Sequence, residues 1–127
     1  MTTLAPSFHV SSVTDRKEVH YTASGLWTLE KLPELQAALF EASKEFIEKR
    51  RSFRVMGDLR DFAVQTRPVA EQMEQIQIAS AKFGVDRMAL ICSSMLVRKQ
   101  FERVSEAVNF EIFDNEADAL DWLRRRF

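Results

Sequence analysis

The side chains that could do chemistry gather around one stretch of the chain. Asp58, Arg60 and Asp61 close an apolar run, and Thr66, Arg67 and Pro68 follow a few positions later. Two carboxylates beside two guanidiniums act as general acid and base only where a shielded pocket drives their pKa values apart. Neighbouring arginines instead hold both acids ionised, so this spacing favours an ion-pair network over catalysis. Ser93 and Ser94 make a second polar pair, directly after an apolar run ending at Cys92. That lone cysteine stands inside the run, where a thiol is usually inert. His9 and His20 are the only histidines, and their spacing matches no zinc or metalloprotease pattern. Gly25, Gly57 and Gly84 are isolated, so there is no glycine-rich phosphate loop, and no Gly-x-Ser-x-Gly elbow occurs. No catalytic residue, metal site or cofactor is expected.

These groups need a scaffold. Residues 53–60 read as a central strand, with Phe53, Val55, Gly57 and Leu59 on one face and Arg54, Met56, Asp58 and Arg60 on the other. A polar loop follows, then a helix from Thr66 or Arg67 to Phe83, whose stripe is Val69, Met73, Ile76 and Phe83 and whose stop is Gly84. In open α/β sheets, ligands meet the protein outside the carboxyl ends of the strands. A helix N-terminus there carries partial positive charge, to which Arg60 and Arg67 add. With Ser93 and Ser94 opening the next helix, residues Arg60, Asp61, Thr66, Arg67, Ser93 and Ser94 are the candidate cradle for a carboxylate, a phosphate or an acidic residue of a partner. The competing reading is that Asp58 and Asp61 neutralise the arginines, leaving only a well-capped helix start.

The remaining elements follow from periodicity. Residues 8–13 and 17–24 read as strands around the turn Thr14, Asp15, Arg16. The second puts Val19, Tyr21 and Ala23 on a buried face, and Glu18, His20 and Thr22 on a wet or partly covered one. On that less buried face His20 reads as a surface histidine. A helix over 33–49 carries the stripe Leu35, Leu39, Ala42 and Phe46, with Phe40 and Ile47 at its flank. That flank serves either edge-of-core packing or a subunit or ligand contact. Lys49, Arg50 and Arg51 close the helix as a solvated cap. Residues 87–92 are apolar on both faces, as an interior strand requires. A helix over 95–107, capped by Ser93 or Ser94, a strand over 110–113 and a helix over 116–125, capped by Asp114 or Asn115, complete the chain. Glu116 and Asp118 begin that last helix and Arg124, Arg125 and Arg126 end it, as its dipole favours. The order ββαβαβαβα predicts an α/β fold: a five-stranded mixed, mostly parallel sheet with helices mainly on one face and the other partly open. Phe40, Ile47, Ile78 and Phe113 fall outside the core stripes and are the candidate apolar contact, with a homodimer as the corresponding expectation.

Composition narrows the class. A chain of 127 residues is one domain, here 1–127, with 1–7 expected to be a flexible N-terminus. A hydrophobic content of 46% with only three glycines and three prolines argues for dense secondary structure. A net charge of -1 argues against a nucleic-acid partner. One cysteine, no apolar run long enough to span a membrane and no signal-peptide pattern point to the cytoplasm.

Three stretches carry a resemblance. Residues 19–28 (Val-His-Tyr-Thr-Ala-Ser-Gly-Leu-Trp-Thr), 53–62 and 110–123 (Phe-Glu-Ile-Phe-Asp-Asn-Glu-Ala-Asp-Ala-Leu-Asp-Trp-Leu) resemble SpoIIAA-like, STAS-type proteins, and within them the bacterial single-domain STAS/CRAL-TRIO-like branch. The resemblance runs from about Phe8 to the end and implies a (βα) superhelix with a sequentially ordered sheet. It also implies a non-enzymatic regulatory module that engages a protein partner through the loop after the central strand and the following helix. The CRAL-TRIO likeness implies an alternative, a small-molecule or acyl-chain binder using the open sheet face or the Phe40/Ile47 flank. STAS domains of the anti-sigma-antagonist type carry a phosphorylatable serine at the turn matching Val64, Gln65, Thr66, Arg67 and Pro68. Here that turn has no serine and no glycine. Thr66 is the only hydroxyl nearby, and helix N-capping ranks ahead of phosphorylation as its role.

Overall fold

Residues 4–125 are described by the computed structural model. β1 (Ser7–Val13) and β2 (Glu18–Ser24) flank a 3₁₀ turn at Thr14–Arg16 and pair antiparallel. α1 (Leu32–Glu48), β3 (Phe53–Asp58), α2 (Arg67–Phe83), β4 (Val85–Ile91), α3 (Met95–Val104), β5 (Phe110–Phe113) and α4 (Glu116–Leu123) follow. The strands lie in sequence order, and each pair after the first is parallel. Helical crossovers impose that direction. The mixed sheet and the ββαβαβαβα order are as the alternation predicts.

Local chemistry sets the ends of the helices. Pro33 sits in the first turn of α1, where its missing N–H costs nothing. Gly84 ends α2 at φ 109°, a left-handed conformation that glycine takes without strain. Ser94 caps α3 by accepting from Val97 N, and Asn115 caps α4 by accepting from Asp118 N. α3 stops at Val104, short of the expected residue 107, where buried Ser105 turns its hydroxyl to Gln77 Nε2 at 3.1 Å. β3 stops at Asp58, two residues early, because the Asp58 carboxylate accepts the Arg60 backbone N–H and turns the chain. α4 ends at Leu123 rather than at 125; Arg126, expected in its last turn, lies outside the described residues. Of the segment 1–7, residues 1–3 lie outside them too, the Leu4 carbonyl accepts from Leu26 N at 2.8 Å, and β1 begins at Ser7.

Three helices cover one face and one covers the other. α1, α2 and α3 bury Val19, Tyr21, Val55, Met88 and Leu90 against Leu35, Phe46, Val69, Met73 and Phe101. α4 alone packs Ala119 and Leu123 on Met56, Ala89 and Ile91 of the opposite face. That face is therefore closed over β3 and β4, where the alternation of Arg54, Met56 and Asp58 predicts openness. It stays open beside β1 and β2, where His9, Ser11 and Thr22 are exposed, and at the β5 edge, where Glu111 is exposed. No helix among the described residues is long and apolar enough to cross a membrane.

Arg54, Arg87 and Glu18 on the α4 side hold that helix. Arg54 Nη1 donates to the Leu123 carbonyl at 2.5 Å, and Arg87 Nη1 donates to the Trp122, Leu123 and Arg125 carbonyls at 3.3, 3.4 and 2.6 Å. Trp122 and Leu123 stand in the last turn of α4, where carbonyls run out of i+4 donors, and Arg125 lies just past it; the Trp122 carbonyl also accepts from Arg125 N at 3.3 Å. Arg124 closes on Glu18 with two bonds of 3.0 and 3.1 Å, and His20 Nε2 lies 2.9 Å from Glu18 Oε1. Glu18, expected on a wet face, is 1% exposed, and His20 is half-buried rather than on the surface. Arg124 closes over Glu18, and Glu18 in turn holds His20.

Burial alone would raise the Glu18 pKa, but the hydrogen bonds from Arg124 and His20 outweigh it and hold the carboxyl below its ordinary value. The stability Glu18 adds is therefore complete above the ordinary glutamate range and is lost as pH falls through the folded-state pKa. Glu18→Gln is expected to cost about 1–3 kcal/mol at neutral pH, less than a fully buried pair because Arg124 keeps solvent contact. Urea denaturation across pH checks this: the gap between wild type and variant narrows as the buffer becomes acidic.

Candidate functional site

The loop after β3 is rigid, and the residue that fixes it is Gln65. Its side chain accepts from Trp27 N at 2.7 Å and donates to the Gly25 and Ala63 carbonyls at 3.0 and 2.6 Å. Its backbone exchanges two bonds with the Gln100 side chain of α3, at 2.8 and 3.1 Å. A bridge between Gly25 and Phe62 extends the sheet into the loop, and Phe62 meets the Phe101 ring edge-on at 5.4 Å. Sequence reasoning passed over Gln65; a buried amide in a loop carries no periodic signal.

The expected cradle residues are distributed around this loop and do not converge. Arg60 turns to Asp58, with bonds of 3.0 and 2.6 Å, and feels Glu116 at the start of α4. The Arg60 hydrogen bonds hold the Asp58 carboxyl below its usual range despite partial burial. Asp61 is exposed, and its carbonyl accepts from Gly25 N. Arg67 projects into solvent from α2, 3.2 Å from Glu71 one turn on. Thr66 occupies the N-cap position, and its carbonyl accepts from Ala70 N, but its side chain makes no capping bond. The expectation that its hydroxyl caps α2 is thus corrected. Ser93 is exposed, and the Ser94 oxygen is committed to Val97 N.

What surrounds the loop is apolar. Val64 is 44% exposed, and Met95 and Leu96 in the first turn of α3 are 64% and 66% exposed. Leu96 lies one turn before Gln100, so it shares the helix face that the loop touches.

A second concavity lies between α1 and α2, over β2 and β3: a cavity of about 550 Å³. Leu39, Phe40 and Ile47 of α1 face Ile76, Ala79 and Phe83 of α2 across it. The exposed rings of Phe40 and Phe83 meet edge-on at 6.0 Å at its opening. Tyr21 contributes to the floor, its ring lying so close to β3 that a Cβ on Gly57 would fall 2.5 Å from it. Burial pushes the Tyr21 phenol well above its ordinary pKa.

The four apolar residues expected to form one contact are separated. Phe40 and Ile47 line the cavity, Ile78 is half-buried on α2, and Phe113 packs on Trp122 of α4 with ring centroids 5.8 Å apart. A small hollow of about 120 Å³ on the α4 side includes His9, His20, Asp58 and Glu116. No group of three or more His, Cys, Asp or Glu among the described residues is arranged to hold a metal ion. Cys92 is buried, and burial pushes its thiol up to about 11, far from a reactive thiolate.

Comparison with known proteins matches this architecture. The chain superposes on an uncharacterised protein of the DUF3478 family with a SpoIIAA-like fold, from Shewanella loihica PV-4, at a TM-score of 0.72 and 18% identity over 97% of this chain and 98% of that one. It also superposes on an anti-sigma factor antagonist from Mycobacterium paratuberculosis, at a TM-score of 0.62 and 14% identity over 95% and 96% of the two chains. At such identities the likeness is one of fold. No curated protein matches the sequence. The SpoIIAA-like family model matches residues 19–124, nearly all of the sheet and its four helices, and the chain belongs to the SpoIIAA-like family.

Proposed function

We propose that the chain is a non-catalytic regulatory module that docks a protein partner at the carboxyl end of its sheet, through the loop after β3 and the adjoining starts of α2 and α3. The observation that carries this is the exposure of Val64, Met95 and Leu96 around a loop already immobilised by Gln65. Exposed apolar side chains on a fixed backbone bind with little ordering cost, which is what a docking surface needs. Family membership supports a regulatory role, as does the shared fold of an anti-sigma factor antagonist. The chemistry near the loop favours binding over reaction, since Asp58 is neutralised by Arg60 and the Cys92 thiol stays protonated.

Replacing Val64 and Leu96 by Asp changes exposed positions and is expected to leave stability within about 1 kcal/mol. The same pair is expected to abolish capture of a partner from lysate of the source cells, and Arg67→Glu to weaken it. Affinity capture with mass spectrometry reads this. A doubly substituted protein that still retains the wild-type partner overturns the assignment.

A second reading has its own observation, the cavity under α1 and α2. Its volume lies within the range of small-molecule sites, and its walls are mainly hydrophobic. We infer that it holds a small apolar molecule. Titration with the uncharged dye N-phenyl-1-naphthylamine is expected to give saturable fluorescence. Ala79→Phe, which fills the cavity from α2, is expected to weaken that binding at least about tenfold while the melting transition stays cooperative, the scale of one large apolar contact.

A further inference from the structure

We infer that the cavity between α1 and α2 takes an uncharged ligand and that the Tyr21 hydroxyl donates the hydrogen bond that orients it. This deepens the second reading above and rests on it.

The charge of the ligand follows from the walls. No lysine, arginine or histidine lines the cavity among the described residues, and the one charged lining residue is Glu41, exposed on α1. An anion seated among Leu39, Ile47, Ile76 and Val55 would give up its water without gaining a counterion. It would also have to pass a carboxylate. A cation would have Glu41 alone, in solvent, where an ion pair contributes little. Neither sign is provided for.

The hydrogen bond follows from which of the buried or half-buried donors are spent; Gln36, which also lines the cavity, is exposed to solvent on α1. Ser43 Oγ donates to the Leu39 carbonyl at 2.7 Å, and Ser80 Oγ to the Ile76 carbonyl at 2.9 Å, each closing on its own helix. The Gln77 amide nitrogen donates to Met88 Sδ and Ser105 Oγ at 3.3 and 3.1 Å. Tyr21 differs from all three. It is 9% exposed and lines the cavity floor with its hydroxyl lying over Gly57, and no group among the described residues hydrogen-bonds that hydroxyl. A hydroxyl whose donor is uncommitted in a mainly apolar wall has a hydrogen bond to give to a ligand's acceptor oxygen, where the spent donors do not.

The phenol is also prepared for the task. Its ring lies on Gly57, where a Cβ would fall within 2.5 Å of it, so the glycine in this interior strand is what lets the phenol lie across β3. Burial keeps the hydroxyl protonated, so it is a donor at every physiological pH. The fitting ligand has an apolar body and one neutral acceptor oxygen: an alcohol, ester, ketone or quinone.

The test uses protein loaded with N-phenyl-1-naphthylamine and three displacers of equal chain length at neutral pH: decanol, decanoate and decylammonium. Decanol is expected to displace the dye at least about tenfold better than either ion, and Tyr21→Phe to weaken decanol about three- to tenfold, the span of one neutral hydrogen bond. Dye affinity in that variant should stay within about twofold. Decanoate or decylammonium matching decanol on the wild-type protein overturns the uncharged-ligand inference without any variant. Decanol binding unchanged in Tyr21→Phe overturns the role of the hydroxyl, which then serves a water molecule. A wild-type protein that fails to bind the dye removes the apolar-ligand reading itself, a distinct result.

Discussion

The carbonyls at the end of α4 run out of the regular i+4 backbone donors, and they point into the protein, where sheet side chains reach them. Polar residues of three strands on that side of the sheet are arranged around this constraint. Arg54 and Arg87, on adjacent strands, reach the Leu123 carbonyl together, and Arg87 adds those of Trp122 and Arg125. Cations there also oppose the negative end of the helix dipole. Glu18 then compensates Arg124 from a third strand, so β2, β3 and β4 all contribute to one helix terminus. Buried ion pairs add little net stability over an apolar replacement. What they contribute here is position: α4 can end in one place only, over β3 and β4. Sliding by one turn would strand three guanidiniums and a carboxylate.

Fixing α4 there makes the two faces unequal. One helix is enough for Met56, Ala89 and Ile91, so the other three share the opposite face. α2 and α3 are tied closely, through Gln77 to Ser105 and through the loop that Gln65 joins to Gln100. α1 has no such tie. It packs mainly over β1 and β2, and the residues it turns toward α2 include Ala37 and Ser43, facing Ala79 and Ser80. Small side chains on both sides leave space that Phe40 and Phe83 bridge only at the rim. The cavity is thus a consequence of how the layers are divided and of four small residues, rather than of any missing element.

Periodicity made the scaffold legible in advance. The stripe Val69, Met73 and Ile76, stopped by Gly84, located α2, and the alternation of Val19, Tyr21 and Ala23 identified the buried face of β2. The same alternation misjudged Glu18 and Arg54, because it distinguishes two faces but not what covers each. Only the docking of α4 decides that, and its polar anchors lie up to 106 positions apart in sequence. The sequence starts α2 at Thr66 or Arg67 and makes Thr66 its cap; the helix starts at Arg67 with Thr66 at the N-cap position but without the capping bond, since residue type sets the position and a side-chain torsion sets the bond. The cavity was legible only in part. Phe40 and Ile47 stood out as surplus apolar residues, whereas the space they border is an absence of side chains, which no residue announces. Tyr21 read simply as core.

The two candidate surfaces are built on shared residues. Leu59 and Phe62 leave β3 as the first residues of the loop, and both also line the cavity, as does Phe101, on which Phe62 packs. A protein partner at Val64 and Leu96 and a small molecule above Tyr21 would therefore press on opposite sides of one aromatic pair. Contact through a common side chain does not by itself couple two sites; coupling requires that each occupant favour a different arrangement of it. Gln65 opposes such a second arrangement, because moving Phe62 away from Gly25 would break the sheet extension and leave a buried amide without its partners. The loop is therefore built to present one surface, and any communication with the cavity would have to pass through the Phe62–Phe101 contact rather than through a change in the loop backbone.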